Sequence, residues 1–539
     1  MKKNVAPFLL LFSVLISCKS PQKETAEESQ LGILNHQFSI SDSAKTHFEK
    51  GLLLLHSFEY DDAKEEFQKA SAADSAEIMA YWGEALSHYK ALWGLQDIDA
   101  GRAVMAKVGA TREDRLLRVQ DDLERDFWKG VEILYGEGNL EERNKAYAKH
   151  MGELYNKYPG NQEVAAFYAL GLMWSVPAGR DAQVFDLSAK VIAGILEENP
   201  NHPGAVHYQI HVNDDPAYAQ LAKAAADKYS KLAPDASHAL HMPSHIYLAL
   251  GMWNEVVASN EASYGASVKR LERKGLSDKL RGYHSYAWLH YGYLQQGRFE
   301  KAALLLKDMQ VYTANAQNQA AKSYLIRMQN AQWIESGQWV DGLQPMYVDY
   351  SDLGLSSKAG QHFFKAMVAY EKGLAAEIDK EVEMLEKKIK AAELIISDQG
   401  IAVCSAGSTR YAPSKSDIVR ANVMISQMKA MASIILKDDL LTEKNLRKAT
   451  ALEDDAEYSY GPPDIAYPSY EQYGDWLLTK NRPKEALVQF DKSLVTAKNR
   501  AKALQGKITA FTMLNKADEA KAVKEILEVF WKQDKLALN

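Results

Sequence analysis

The sequence contains very little cysteine: Cys18 and Cys404 are the only two in 539 residues. Two cysteines cannot build the disulfide framework of a small secreted domain, and they form no cysteine-based zinc site. We predict that Cys404 is a buried structural thiol. A metal site in this chain would therefore use histidine and carboxylate side chains.

The chain also lacks a charge excess of one sign and several well-known catalytic motifs. It has 64 basic and 71 acidic residues, a net charge of −7, so no basic surface for nucleic acid is indicated. No phosphate-binding glycine loop, GxSxG elbow, HExxH helix or EF-hand loop occurs. We predict no nucleic-acid partner, and the common motif-based enzyme classes find no support.

The N-terminus has the pattern of a bacterial export signal. Two lysines precede an apolar run from about Val5 to Ile16, which is too short to span a membrane. Ser17 before Cys18 resembles a lipobox, in which the cysteine is lipidated. We therefore predict a signal peptide over residues 1–17 and lipidation at Cys18, with a flexible tether over 18–40. The alternative is a plain signal peptide.

These segments predict membrane attachment through lipid. The expected location is the bacterial cell envelope, at the outer membrane, with the protein facing the periplasm or the surface.

From Ser41 onward, apolar residues recur at helical spacing and show no sustained alternation. The segment Ala44–Glu77 matches a 34-residue tetratricopeptide repeat (TPR) unit. The matching positions, 8, 20, 24 and 27, are Gly51, Ala63, Phe67 and Ala70. Further units begin at residues 203, 237, 283, 467 and 501. Their turn residues include Gly251, Gly297, Asn481 and Asn515.

The fold class predicted is all-α: an α-solenoid of TPR-like helix pairs. The irregular stretches leave a closed or two-lobed superhelix as alternatives. We divide the folded part into an N-terminal solenoid over residues 41–312, irregular helical repeats over 313–450, and C-terminal repeats over 451–539.

Histidines concentrate in the units that begin at residues 203 and 237. His207 and His241 are 34 residues apart, and so are His211 and His245. In a TPR unit, positions 2, 5, 9 and 12 of the first helix face the concave groove. The residues at these positions are His207, His211, Asp214, His238, His241, His245 and, from the next unit, His284.

This spacing predicts a metal site, because neutral imidazole is the commonest metal ligand near neutral pH. His207, His211, His241 and His245 would form a four-cornered set on two adjacent helices. Asp214 would be a ligand or would orient an imidazole. Zinc, iron, copper and nickel all suit this ligand set. The alternative is a polar histidine network in a hydrated groove.

Other residues are predicted to be near the site or to have no role in it. His202 and His56 receive no role. The predicted ligand-groove residues are Tyr208, Asp215, Glu471 and Asp475, of which the last two would meet the histidines if the solenoid closes. The alternative for this acidic pair, and the more common case, is a solvated face. Tyr458 and Tyr460 would line a pocket beside them.

The segments HPGAVHYQIH and LAPDASHALHMPSHIYLALG, with the later Pro462–Pro468 stretch PPDIAYP, resemble a family of bacterial TPR lipoproteins. This largely uncharacterised family shares an HYxIH…HMPSHIY signature. Two departures are Asn213-Asp214-Asp215 in place of a glutamate-containing run, and Ala287 where a second histidine is usual. The resemblance implies a TPR fold and a shared site but no reaction.

Two functions remain open from the sequence, together with a purely structural scaffold. The first is a lipid-anchored binding protein whose groove takes a peptide, protein or small ligand and whose histidines bind a metal or ligand. The second is a metal-dependent hydrolase or oxidoreductase that uses the same histidines.

Overall fold

The computed structural model describes residues 31–177, 179–337, 343–394, 396 and 413–532. The helices of the first half are α1 (Asp42–His56), α2 (Tyr60–Ala73), α3 (Ile78–Ser87), α4 (Ile98–Val108), α5 (Arg112–Arg118), α6 (Asp122–Leu134), α7 (Leu140–Lys157), α8 (Gln162–Trp174), α9 (Ala182–Glu198), α10 (Pro203–Val212), α11 (Ala219–Leu232), α12 (Ser237–His241), α13 (Pro243–Ala249), α14 (Trp253–Lys274), α15 (Tyr283–Gln295) and α16 (Phe299–Ala316). Those of the second half are α17 (Gln319–Ser336), α18 (Leu355–Glu371), α19 (Ala375–Glu393), α20 (Lys415–Ile435), α21 (Asp439–Asp454), α22 (Ser469–Thr479), α23 (Pro483–Thr496), α24 (Ala501–Met513) and α25 (Ala517–Glu528). The order confirms the predicted all-α solenoid of helix pairs.

One short hairpin interrupts the helices. Strands β1 (Tyr89–Lys90) and β2 (Leu95–Gln96) pair antiparallel around a 3-10 turn, Ala91–Trp93. The sequence pattern predicted no strand, because two residues are too few to show an alternation. The hairpin brings the Trp93 ring to 5.7 Å from the ring of His238.

Helices of adjacent units pack closely because glycines accept an aromatic ring from a neighbouring helix. A Cβ atom on Gly83 would lie 2.3 Å from the Phe67 ring. The same contact recurs at the other end of the chain, where a Cβ on Gly506 would lie 2.3 Å from Phe490. The same glycine–aromatic contact therefore occurs in the predicted repeats at both ends of the chain.

The turns inside the helix pairs also follow the repeat. Gly251 and Gly297 have φ angles of 69° and 70°, and Asn481 and Asn515 have φ angles of 55° and 56°. Glycine and asparagine tolerate this left-handed conformation better than other residues. Four turn positions predicted from the sequence are therefore turns in the structure.

The chain closes on itself, because its C-terminal end returns to the middle of the solenoid. The Trp253 indole nitrogen donates to the Asn499 carbonyl oxygen at 2.8 Å, and the Lys532 backbone nitrogen donates to that of Gln296 at 2.7 Å. Apolar side chains of α24 and α25 belong to the same core as those of α1 to α16. The C-terminal repeats thus pack against the histidine-bearing half of the solenoid.

The signal peptide predicted over residues 1–17, the lipidation site Cys18 and the thiol Cys404 lie outside the described residues. The packed body begins before residue 41: Leu31 and Phe38 are buried, and the Phe38 ring lies 5.0 Å from that of Phe127. In the described part of the chain, no helix is long and apolar enough to cross a membrane.

Candidate metal centre

The groove histidines lie on the first helices of three successive pairs. Helix α10 begins with Pro203 at its first position, where a proline costs no hydrogen bond. The next first helix is broken at Met242 into α12 and α13, because Pro243 begins a new helix there. Helix α15 carries His284 near its start. Each break or cap sets the direction from which a histidine reaches the groove.

The structure divides the six groove histidines into two triads. The first triad is His207, His211 and His238, and the second is His241, His245 and His284. Within each triad, one ring nitrogen of every histidine lies within 4.8 Å of the others. The predicted single four-cornered set is therefore corrected: the two histidines four residues apart in one unit are joined by a histidine at position 2 of the following unit.

Outer hydrogen bonds fix the protons of the second triad. The Asn260 side-chain nitrogen donates to the Val256 carbonyl oxygen at 2.8 Å, so its Oδ1 accepts from His241 Nδ1 at 2.7 Å. Asp214 Oδ2 accepts from His245 Nδ1 at 2.6 Å. When both rings are neutral, the Nε2 atoms of His241 and His245 therefore both carry lone pairs, and they face each other at 3.0 Å. Two neutral rings therefore have no proton between these Nε2 atoms.

In the first triad, a bond of this kind fixes His207 alone, and His211 Nε2 can donate to His207 Nε2. His207 Nδ1 donates to the His56 carbonyl oxygen at 2.7 Å, so its Nε2 is unprotonated. That Nε2 lies 3.1 Å from His211 Nε2. His238 Nε2 is buried and has no hydrogen-bond partner among the described residues. A buried polar atom without a partner is costly, and a bound ion would satisfy it.

Aromatic rings pack against both triads. The Phe58 ring lies 4.4 Å from that of His207 and 5.5 Å from that of His211. Phe58 has a φ of 57°, which is strained for a bulky side chain and is kept mostly at constrained sites. The Trp288 ring lies 4.4 Å from that of His245 in the second triad. These rings restrict the histidine orientations.

Burial keeps four of these imidazoles neutral, those of His207, His211, His238 and His241. It lowers the pKa of His207 and of His241 to about 3. It lowers the pKa of His211 and of His238 well below the usual value, and neighbouring histidines lower them further. Neutral imidazoles offer their lone pairs at physiological pH, so protons compete little with a metal.

His284 completes the second triad from the next unit. Its Nδ1 lies 2.8 Å from the Tyr324 hydroxyl, and its side chain is the most exposed of the six. Although Ala287 stands where the resembled family usually has a second histidine, His284 lies within reach of His241 and His245. Asp214 holds His245 from outside the triad, in the orienting role that was one of its two predicted alternatives.

A third group, His56, Glu163 and His202, is fully buried. Glu163 bonds His56 Nε2 at 2.8 Å and His202 Nε2 at 3.3 Å, and the Tyr208 hydroxyl bonds His56 Nδ1 at 2.8 Å. His202 Nδ1 caps the start of α10. With all four ring nitrogens bonded, this is a closed polar network that supports His207 through the His56 carbonyl group. His56 and His202, which were expected to have no part in the site, therefore have a structural role, and Tyr208 lies beneath the groove.

The predicted acidic pair does not join the triads. Glu471 accepts from Arg500 at 2.6 Å and from Ser493 at 3.0 Å. Asp475 accepts from the Tyr467 hydroxyl at 2.6 Å and pairs with Lys502 at 3.2 Å. Both carboxylates are bonded within the C-terminal repeats, and Arg500, which Glu471 holds, also donates to the Tyr291 hydroxyl of α15. This corrects their assignment to the ligand groove.

The aromatic loop does approach the site. A Cβ on Gly461 would lie 2.3 Å from the Trp288 ring that walls the second triad. Burial and then Asp214 raise the pKa of Tyr460 to about 12, and the same two causes, with Asp215, raise that of Tyr458. These two tyrosines therefore lie beside the aspartates that follow α10.

No protein-family model and no curated protein matches the sequence. The TPR domain of P58(IPK) is similar in structure at 12% identity and a TM-score of 0.22, over 88% of this chain and 99% of that one. Yeast Tom70 has 12% identity and a TM-score of 0.30, over 90% and 93%. Ypp1 has 9% identity and a TM-score of 0.37, over 92% and 89%. Likeness at this level concerns the helical fold alone.

Proposed function

We propose that the protein is a metal-binding TPR-like solenoid whose two histidine triads each hold one divalent transition-metal ion. The observation that carries the proposal is the 3.0 Å approach of His241 Nε2 and His245 Nε2, both of which carry lone pairs. Neutral rings repel in this arrangement, and a cation between them turns the repulsion into coordination.

The spacing suits such an ion. A metal about 2.05 Å from both nitrogens would be held at an angle of about 94°, given their 3.0 Å separation. Widening the pair by about 0.3–0.4 Å would give the tetrahedral angle. An imidazole ligand set suits zinc, copper, iron and nickel, whereas magnesium, calcium and manganese prefer oxygen.

The binding role follows from the fold together with these sites. Stacked helix pairs present an extended concave surface to a peptide, protein or small ligand. Metal ions in that surface would provide fixed points of attachment. A metal-dependent hydrolase or oxidoreductase is the second candidate, because three protein ligands leave a coordination position open, as catalytic sites do.

We further propose that the protein is a lipoprotein of the bacterial cell envelope, anchored through Cys18. The basic start, the short apolar run and the Ser17-Cys18 pair support this. Palmitate labelling of the wild type and of Cys18→Ser in a bacterial host tests it. Labelling and membrane association that persist in the variant would refute the anchor.

Elemental analysis of the full chain tests the metal proposal. After chelation and reloading with zinc, the wild type should hold two ions, His211→Ala or His284→Ala one, and the double variant none. His47→Ala is the matched control, because His47 bonds Glu66 away from the triads. Circular dichroism reports whether each variant is folded. A wild type that binds no metal, or a double variant that keeps both ions, would overturn the proposal.

A further inference from the structure

The two triads are copies related by one repeat. Each combines positions 5 and 9 of one unit with position 2 of the next: His207, His211 and His238 in the first triad, and His241, His245 and His284 in the second. The distance between equivalent rings therefore measures the distance between the two metal sites. This inference rests on the metal binding proposed above.

That distance is longer than in most paired metal centres. The rings of His211 and His245, both at position 9, have centroids 6.4 Å apart. The rings of His238 and His241 approach to 6.3 Å across the same gap. Ions that share one bridging oxygen lie about 3.5–4 Å apart. Two ions about 6 Å apart need a bridge with two donor atoms.

Charge favours an anion as that bridge. Six imidazoles bind as neutral ligands, so two divalent ions bring charge that neither triad compensates. Among the described residues, the candidate triads contain no carboxylate. Asp214 is already bonded to His245 Nδ1. Uncompensated charge in a partly buried groove is costly, and an anionic ligand removes that cost.

We propose that the two ions together bind one oxyanion, a carboxylate or a phosphate group, with one oxygen on each ion. Both groups offer two oxygens on a single central atom, and both prefer metal ions to water in a confined groove. Access is from the side of His284, whose side chain is exposed. Trp93, beside His238, is a neighbouring aromatic side chain that a larger ligand would contact.

Calorimetry on the zinc-loaded full chain, freed of unbound zinc, tests this. Inorganic phosphate and acetate are the two probes, and the arms distinguish phosphate from carboxylate ligands. We expect one anion per two zinc ions for at least one probe, and no binding to the metal-free chain. His211→Ala and His284→Ala, which should each keep one zinc ion, should bind that probe at least tenfold more weakly.

Three outcomes would overturn the proposal. One is that the wild type binds two anions per chain, each with the affinity measured for the single-site variants. The two zinc ions would then bind anions independently of each other. Another is no binding of either probe to a chain that holds two zinc ions. In both cases the metal proposal stands. Absence of bound zinc would refute the metal proposal and the bridging anion together.

Discussion

Asp214→Ala should weaken one of the two metal sites and spare the other. Asp214 Oδ2 holds the Nδ1 proton of His245 at 2.6 Å, so it fixes the tautomer and the ring orientation. Loss of such an outer partner reduces metal affinity about 10–100-fold, which is about 1.4–2.7 kcal/mol. The first triad has its own orienting bond, from His207 to the His56 carbonyl oxygen. Its affinity should stay at the wild-type value.

A competition titration with a chromophoric zinc chelator resolves the two sites. The variant should show one unchanged and one weakened dissociation constant. Asp215→Ala is the matched control, because Asp215 caps the backbone nitrogen of Ala217 and bonds neither triad. Two unchanged constants, or an equal weakening of both, would refute the assignment of Asp214 to the second triad.

Three further predictions concern stability. Gly83→Ala should cost about 1–3 kcal/mol in urea unfolding, since its Cβ would lie 2.3 Å from the Phe67 ring, whereas Gly194→Ala, with nothing within 4 Å, should be neutral or stabilising. Arg500→Leu should cost about 3–5 kcal/mol, because it strands buried Glu471 at the ring closure; an unchanged denaturation midpoint would contradict this. Burial raises the pKa of Glu124 to about 7, against the bond from the Ser39 nitrogen. The protonated Glu124 therefore contributes its full stabilisation below pH 4.5, and this contribution is lost as the pH rises through 7. Between pH 4.5 and 8, the free energy of unfolding of Glu124→Gln should increase relative to that of the wild type by about 1–3 kcal/mol. A pH-independent difference would refute it.

The repeat period carried most of what could be predicted. A 34-residue offset places His207 with His211 and His241 with His245 on groove-facing positions, because helix pairs stack with constant geometry. The same period predicted the turns at Gly251 and Asn481. These features depend on local spacing alone, which a sequence displays directly.

The division into triads could not be predicted, because it depends on how far each unit advances. Helix α14 runs for 22 residues, so the unit at Tyr283 begins outside the 34-residue period. Its His284 nevertheless lies beside His241, with ring centroids 4.5 Å apart. The sequence places His284 on a groove-facing position but does not give its distance from His241.

The supporting network also has no sequence signal. Glu163 and His56 are 107 residues apart and belong to helices with no shared repeat position. Tyr208 shares the HYQIH motif with two groove histidines, yet it points to the opposite side of α10 and is fully buried. Contacts of this kind arise from the stacking of several units.

Anomalous diffraction from crystals of the zinc-loaded full chain would test the central claim most directly. We predict two zinc peaks. One should lie in the first triad, among His207, His211 and His238. The other should lie in the second triad, among His241, His245 and His284. The peaks should be about 6 Å apart, near the 6.4 Å ring spacing. No peak at either triad, or a peak only at the closed His56 network, would contradict it.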